Sequence, residues 1–521
     1  MKRIFLYSTL LIAIAVGCTD LNEEIYSGIP DEEYPQTQEQ ANAIPLESLK
    51  AMADLFDDNG YWYLSQEISS DELVGPTRAA DWYDGGKWLE LQYHSWSNQA
   101  NSVSGMWNKF YQGIQESNKI VDQIGTVTSP VEMKSKAEVE TVRSLYYFWL
   151  MDNFGDVPYL TSFSSAPAQP FRLNRAAIFD SLTTTLESNY QYMSSMVNPG
   201  YKSFASKELA LTLLAKLYLN GEVYTGNAKS EYYQKTIQYC DSLLSYSHLS
   251  LEPNVMDLFK KDKSAASKEI IFMVPFDEVS KTGFRLHMRS LGYISKKTFN
   301  MDAQPWNGFC VIPTFFDKYE TTDVRREGYF LHGPQVDFQG APLMDEKTGN
   351  QVNFDPYIKI PWMSVDNMAI EGIDNFEMTY SGARVQKYEV YAGALVDLTV
   401  NFPVFRLADV IFMKAEAELR LNGSVSAETM VLVNEIWTRA NQTPPAGGLT
   451  LDNILDERGK ELFAEGHRRN DMIRFGTFDK PFWAMGQTDM TGVPAPNDIQ
   501  NVFPIPQGAL DSNPNLGEPA Q

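Results

Sequence analysis

The sequence predicts a mainly α-helical fold of paired helices, interrupted by a loop-rich elaboration that contains short strands. Three observations predict it. Apolar side chains recur at helical spacing in blocks on either side of the middle of the chain. That periodicity fades between Ser250 and Asn401, where Gly, Pro, Asn, Asp and aromatic residues cluster. Hydrophobic residues at 43% and charged residues at 21% are ordinary for a folded chain of 521 residues.

The elements follow in chain order. Lys2 and Arg3 precede an uncharged, mostly apolar stretch from Ile4 to Val16. At ~1.5 Å per residue it spans about 20 Å of a hydrocarbon layer roughly 30 Å thick. It reads as a signal peptide over residues 1–17 rather than a membrane span. Residues 18–37 are polar, acidic and turn-prone, without a helical stripe, and form a flexible tether. Residues 38–521 then make a single domain.

The first helical block lies at Trp107 to Val121, where Trp107, Tyr111, Ile114 and Asn118 share a face. In the second, Val142, Leu145, Tyr146 and Trp149 stand at i, i+3, i+4 and i+7, and the pattern ends before Gly155. Ala210, Leu213, Leu214 and Leu217 repeat that spacing, and Tyr232 to Tyr246 follow a Gly-containing turn. Downstream, Ala408, Phe412, Ala415 and Leu419 give a buried stripe closed by Asn422-Gly423, with Val431 to Ala440 as its partner. A last helix is predicted from Leu451 through Gly466. The helical pairs thus cover about 100–250 and 405–476. They look like tetratricopeptide-type units, about four of them, two before residue 250 and two after 400, although no strict repeat period survives. Within the elaboration at about 250–401, Glu269 to Val274 and Ala383 to Val390 read as short strands. Residues 493–521, rich in Pro and Asn, should be extended and wrapped over the body.

Composition excludes several functions. Lys+Arg number 43 against 67 Asp+Glu, a formal charge of −24, and no basic run offers a local exception. Such a surface repels phosphate backbones, so nucleic acid is not a partner. The histidines (His94, His248, His287, His332 and His467) contain no pair at metal-ligand spacing, and three cysteines cannot make a disulfide framework. No metal and no cofactor is expected. Cys240 and Cys310, the thiols left after residue 18, stand 70 residues apart, and the sequence leaves open whether they pair or stay free and buried. There is no Gly-x-Ser-x-Gly elbow, no glycine-rich nucleotide loop and no His-Glu-x-x-His. Two carboxylates of a glycoside hydrolase could still hide among 67 acidic residues, and a tetratricopeptide-type surface could equally serve protein interaction. Arg458 falls on the inner stripe of its helix with Glu457, Glu461 and Glu465 nearby, which reads as a buried ion-pair network.

Several motifs together carry a family resemblance. They are Trp107 through Asn118, Arg143 through Pro158 ending Asn-Phe-Gly-Asp-Val-Pro, and Phe405-Arg406-Leu407-Ala408-Asp409-Val410 leading into Lys414-Ala415-Glu416-Ala417. Glu457-Arg458 to Arg474-Phe475-Gly476 follows, with Glu465-Gly466-His467-Arg468-Arg469 between, and Phe503-Pro504-Ile505-Pro506 closes the set. In order and spacing the chain resembles the RagB/SusD family, the surface glycan-binding lipoproteins of Bacteroidetes. Ala15-Val16-Gly17-Cys18 likewise resembles a bacterial lipobox, which implies that Cys18 is lipidated and anchors the chain to the outer membrane, facing the exterior. The family resemblance implies a SusD-like fold, no enzymatic activity, a glycan ligand, and a lid-like partnership with a SusC-like TonB-dependent transporter.

Glycan-binding residues vary within that family, so candidates must come from chemistry. Sugars present flat CH faces rimmed with hydroxyls, which call for exposed aromatic planes and bidentate polar side chains. Two loop segments offer them. The first runs Asp71 to Gly86, where Trp82 has no helical neighbours to bury it; the second is Gln304 to Cys310. The candidate ligand residues are Asp71, Arg78 and Trp82 on one side, Trp306 and Cys310 on the other, and Arg384 as a third element. Asp71 and Arg78 could also be a structural pair. Trp96 and Trp107 are assigned to packing.

Overall fold

The computed structural model describes residues 44–57, 61–78, 81–196, 202–277, 279, 281–357, 375–479 and 501–521. The signal peptide, the Cys18 lipidation site, the tether and residues 493–500 lie outside the described residues.

Helix α1 (Asn101–Ile124) packs against α2 (Pro130–Phe154). The start of α2 is set by a capping box: Ser129 Oγ accepts the Glu132 N–H, Glu132 accepts the Ser129 N–H, and Pro130 occupies the first turn. A third helix, α3 (Arg175–Asn189), has no counterpart among the sequence predictions. Its inward residues Ile178, Phe179, Leu182 and Leu186 are separated by Ser181 and the Thr183 to Thr185 run, which blurs the stripe. Helix α4 (Lys207–Leu219) is buried from Glu208 to Leu219, because α3, α5 (Ser230–Leu244) and α6 (Leu407–Asn422) all pack on it. Through α4, α5 and α6 the early and late halves share one core. Helix α7 (Ala427–Arg439), capped by Ser426, pairs with α6.

The predicted helix from Leu451 to Gly466 is corrected by the structure. Helix α8 (Leu451–Glu461) stops five residues short, and a second short helix, α9 (Arg468–Arg474), follows a turn. The chain cannot stay helical there because Ala464 and Gly466 take left-handed φ values of 57° and 79°. The turn is held from outside. The Ala464 N–H donates to Glu72 Oε2 at 2.9 Å and the Gly466 N–H to Glu67 Oε1 at 2.8 Å, while Tyr63 and Tyr388 hydroxyls donate to Ala464 O.

Four two-stranded antiparallel ladders accompany the helices among the described residues. They pair β1 (Leu73–Val74) with β3 (Cys310–Val311), β2 (Ile270–Val274) with β8 (Phe402–Arg406), β4 (Phe330–Leu331) with β7 (Arg384–Val385), and β5 (Gly333–Pro334) with β6 (Asn353–Phe354). The strand expected over Ala383 to Val390 is paired only at Arg384 and Val385. Since β2 opens the elaboration and β8 closes it, their pairing returns the insertion to the helical scaffold where it left.

A buried charge network sits at that junction. Arg406 reaches Glu269, Glu461 and Glu465 at 2.7–2.8 Å, Arg439 bridges Glu269 and Glu461, and Arg325 joins Asp323, Glu457 and Glu461. Burial opposes the Glu461 charge, yet Arg439, Arg406 and Arg325 hold its carboxyl well below the usual range. Arg458 is buried and ion-paired as expected, but with Asp409 (2.7 Å) and Asp471 (3.0 Å) instead of the glutamates of its own helix. Those glutamates face Arg325, Arg406, Arg439 and Lys387.

The C-terminal segment is not wholly extended. Residues 501–521 carry a helical turn, Gln507–Ser512, after Pro506, and a 3₁₀ turn opened by Pro514. The segment lies on the body through Phe503 N–H to Asn153 O and Gln521 N–H to Arg172 O.

Candidate functional site

Strand pairing across the chain assembles the candidate site. Val74 is registered against Cys310, which sets the loop after β1 beside the loop before β3. In the first loop, Arg78 and Asp81 exchange backbone hydrogen bonds at 2.8 and 2.9 Å. Trp82 follows with a left-handed φ of 64° and donates its N–H to Asp81 Oδ1. The second loop is fixed to the helical turn Leu286–Ser290: Trp306 N–H donates to Met288 O, while Gly308 and Phe309 N–H share Arg289 O.

The two loops then lock together. Trp82 Nε1 donates to Trp306 O at 2.8 Å, and the indole lies on the backbone of Gly308, where an added Cβ would stand 2.2 Å from the ring. Phe309 and Trp88 pack against the same indole with centroids at 5.1 and 6.2 Å. Trp82 is therefore 8% exposed, which corrects the expectation that loop context leaves it uncovered. Its cover comes from a segment 224 residues away. Trp306 is half-buried, with the Arg289 guanidinium 5.5 Å from its ring centroid.

Arg78, Cys310 and Arg384 converge beneath these rings. Arg78 donates to Ser381 O (3.0 Å) and Gly308 O (3.4 Å) and approaches Cys310 Sγ at 3.7 Å. Arg384 donates to Thr379 O (3.2 Å) and Gly308 O (3.4 Å), with its guanidinium 5.0 Å from the Phe354 ring centroid. Cys310 and Arg384 have no exposed surface and Arg78 is 4% exposed, so in this structure they brace the loop from below, a correction to their placement on a ligand-facing wall. Burial pushes the Cys310 thiol up, against the pull of both guanidinium groups. Cys240 is buried as well, and both thiols are free.

Asp71 is drawn elsewhere. Its carboxylate holds Arg468 through paired contacts of 2.6 and 2.8 Å, and Arg468 outweighs the burial that would raise the carboxyl, keeping it below its usual range. This ion pair ties the first loop to α9, and the candidate pairing of Asp71 with Arg78 gives way to it. Trp96 and Trp107 are packed, against Phe503 and Phe154 respectively.

Two exposed residues at the site were not among the candidates. Tyr293, 39% exposed, donates its hydroxyl to Asp81 Oδ2 at 2.6 Å, and Asp81 itself is exposed. Tyr293 follows Gly292 in the same loop-rich elaboration that holds Trp306. The face presented to solvent thus combines part of the Trp306 ring, the Tyr293 ring and the Asp81 carboxylate. Such a face can stack on a CH surface and hydrogen-bond at its edge.

Comparison with known proteins agrees with this architecture. Residues 366–518 match the SusD family, and residues 49–219 match the family described as starch-binding associating with outer membrane. The starch-binding protein SusD of Bacteroides thetaiotaomicron is 23% identical over 87% of this chain and 83% of its own length. A SusD superfamily protein from Parabacteroides distasonis superposes with a TM-score of 0.72 at 20% identity, covering 92% of this chain and 98% of that one. Surface glycan-binding protein A from Bacteroides thetaiotaomicron, solved in complex with laminarihexaose, superposes with a TM-score of 0.69 at 18% identity over 90% of this chain and 97% of that one. This chain thus matches SusD-type families towards both ends of its sequence and has the fold of solved SusD-like proteins.

Proposed function

We propose that this chain is a non-catalytic glycan-binding protein. It captures oligosaccharide or polysaccharide on the face formed by Trp306, Tyr293 and Asp81. Trp82, Arg78, Cys310 and Arg384 form the support that presents this face. The single observation that carries the reading is the half-open Trp306 ring locked by its carbonyl to Trp82, so that a stacking plane exists before ligand arrives. Relatives named for starch binding and glycan binding support the ligand class. They are named as binding proteins, not hydrolases. Two stacking contacts at ~0.5–1.5 kcal/mol each, with hydrogen bonds at about 1 kcal/mol net, predict dissociation constants in the millimolar to micromolar range.

In the cell, Cys18 would carry the lipid that holds the chain at the outer membrane, and the bound sugar would pass to a SusC-like TonB-dependent transporter. The lipobox-like Ala15 to Cys18 motif and the description of the family matched at residues 49–219 support that placement. Weak binding suits handover, because tethering beside a transporter raises the local sugar concentration without slow release. The test is retardation of the purified chain in gels containing starch or laminarin. The unaltered protein should be retarded and Trp306→Ala retarded less. Shortened products abolished by a single carboxylate change would replace this reading with a hydrolase.

A further inference from the structure

We propose a second site, for a neutral oligosaccharide chain, in the groove between α1, the loop at residues 158–170 and the C-terminal turn Gln507–Ser512. It takes its ligand class from the glycan-binding reading, but its geometry is separate from the Trp306 face.

The groove has a volume of about 740 Å³. Its floor is the exposed face of α1, where Asn108, Gln112 and Gln115 stand at i, i+4 and i+7. Along a helix these steps are about 6 and 4.5 Å, the scale of successive sugar rings in a chain. Each primary amide both donates and accepts, and so can bracket two neighbouring hydroxyls. Phe163 rises from one wall with 50% of its surface open, Lys119 covering one face of the ring at 5.1 Å. Pro506, Ala509 and Leu516 make the opposite wall apolar.

Among the described residues that line the groove none is charged, in a chain where 21% are. Charged side chains beside the groove are already engaged: Lys109 with Asp54 at 2.6 Å, Lys119 with Glu116 at 2.9 Å, Arg143 with Asn118 Oδ1 at 2.9 Å, and Asp122 with the Phe163 and Ser164 N–H groups at 2.9 and 2.7 Å. An ionic ligand therefore finds no counter-charge. The walls are also pre-organised. Tyr111 donates to Pro158 O and Asn118 to Leu160 O, both at 2.9 Å, and Asn513 donates to Pro170 O at 2.8 Å. A site that does not need to be ordered on binding loses less entropy when it is filled.

A peptide fits less well. Strand addition needs an open strand edge, and no strand lines the groove. Helix docking needs an apolar floor, whereas the exposed side chains of this floor are the amides of Asn108, Gln112 and Gln115. A proline-rich segment needs paired aromatic ridges, but Trp107 is 6% exposed and Tyr111 is half-buried with its hydroxyl on Pro158 O, so of the three rings Phe163 alone has half its surface open.

The test uses the mature chain, affinity gels containing amylopectin, laminarin or galactomannan, and hydrogen exchange with a hexasaccharide of whichever polymer retards it. Phe163→Ala combined with Gln115→Ala should weaken apparent affinity for the polymer at least about tenfold through lost bivalency. The melting temperature should be unchanged, both side chains being exposed. In Trp306→Ala, the hexasaccharide should still slow exchange in residues 160–168, and adding the two groove substitutions should abolish that protection. Undiminished polymer affinity in the groove variant, or no protection of residues 160–168, overturns the second site. Protection by a proline-rich peptide but by no glycan also overturns it, in favour of a peptide groove. If Trp306→Ala binds normally while the groove variant does not, the second site stands and the assignment of the Trp306 face falls. Retardation by none of the polymers removes both.

Discussion

Trp82 and Trp306 are joined by one hydrogen bond, yet substitution should separate their roles. Trp306→Ala removes a half-open ring and should weaken sugar binding about two- to tenfold, the equivalent of ~0.5–1.5 kcal/mol of stacking, with little change in melting temperature. Trp82→Ala empties a buried site and should lower unfolding stability by about 3–5 kcal/mol in urea titrations. Equal melting curves for the two variants would contradict this division. Gly308→Ala drives a methyl into the Trp82 ring and should cost about 1–3 kcal/mol while disordering the Trp306 plane. At this scale the sequence identifies which loops carry the aromatics, because Gly and Pro interrupt the helical pattern around them. It does not reveal which ring is covered. Phe309 and the carbonyl that tether Trp82 come from the distant loop, and the Arg468 that claims Asp71 lies 397 residues away.

The elements carry the stability. Helices α1, α2, α4, α5, α6 and α7 were legible from periodicity, since each buries a stripe at helical spacing. Helix α3 was hidden by its hydroxyl-rich interruptions, and the break after α8 was hidden because the carboxylates that satisfy its amides come from residues 67 and 72. Arg406→Met should strand Glu269, Glu461 and Glu465 without their shared guanidinium and cost about 3–5 kcal/mol, measured by urea unfolding.

The same turn makes a pH prediction. Burial, and then their mutual repulsion, raises Glu72 well above the usual range, while burial lifts Glu67 from 4.5 to about 7. A raised carboxyl keeps its proton in the folded chain where the unfolded chain has released it. Stability from this pair therefore declines as pH rises from about 4.5 through about 7. Glu461 and Asp71, held low, act oppositely, and their stabilisation is lost as pH falls below the usual carboxylate range. Glu72→Gln keeps an acceptor for the Ala464 N–H and removes one buried charge. Its melting temperature should exceed that of the parent at about pH 8 and converge with it near the acid end. Parallel melting profiles would refute the account.

Across the whole molecule the formal charge of −24 says little about a neutral ligand. Retardation by starch or laminarin should change less than about twofold between low salt and an ionic strength where the Debye length is about 3 Å. A steep salt dependence would point to an ionic ligand instead.

The fold also joins positions far apart in the chain. The helix Trp62–Ile68 has its Tyr63 hydroxyl on Ala464 O, a partner 401 residues further along. Trp62 meets Trp149 early, but the burial of this helix is completed only when nearly the entire polypeptide has been delivered. Refolding from denaturant should be slow and concentration-sensitive, and a holding chaperone should raise its yield.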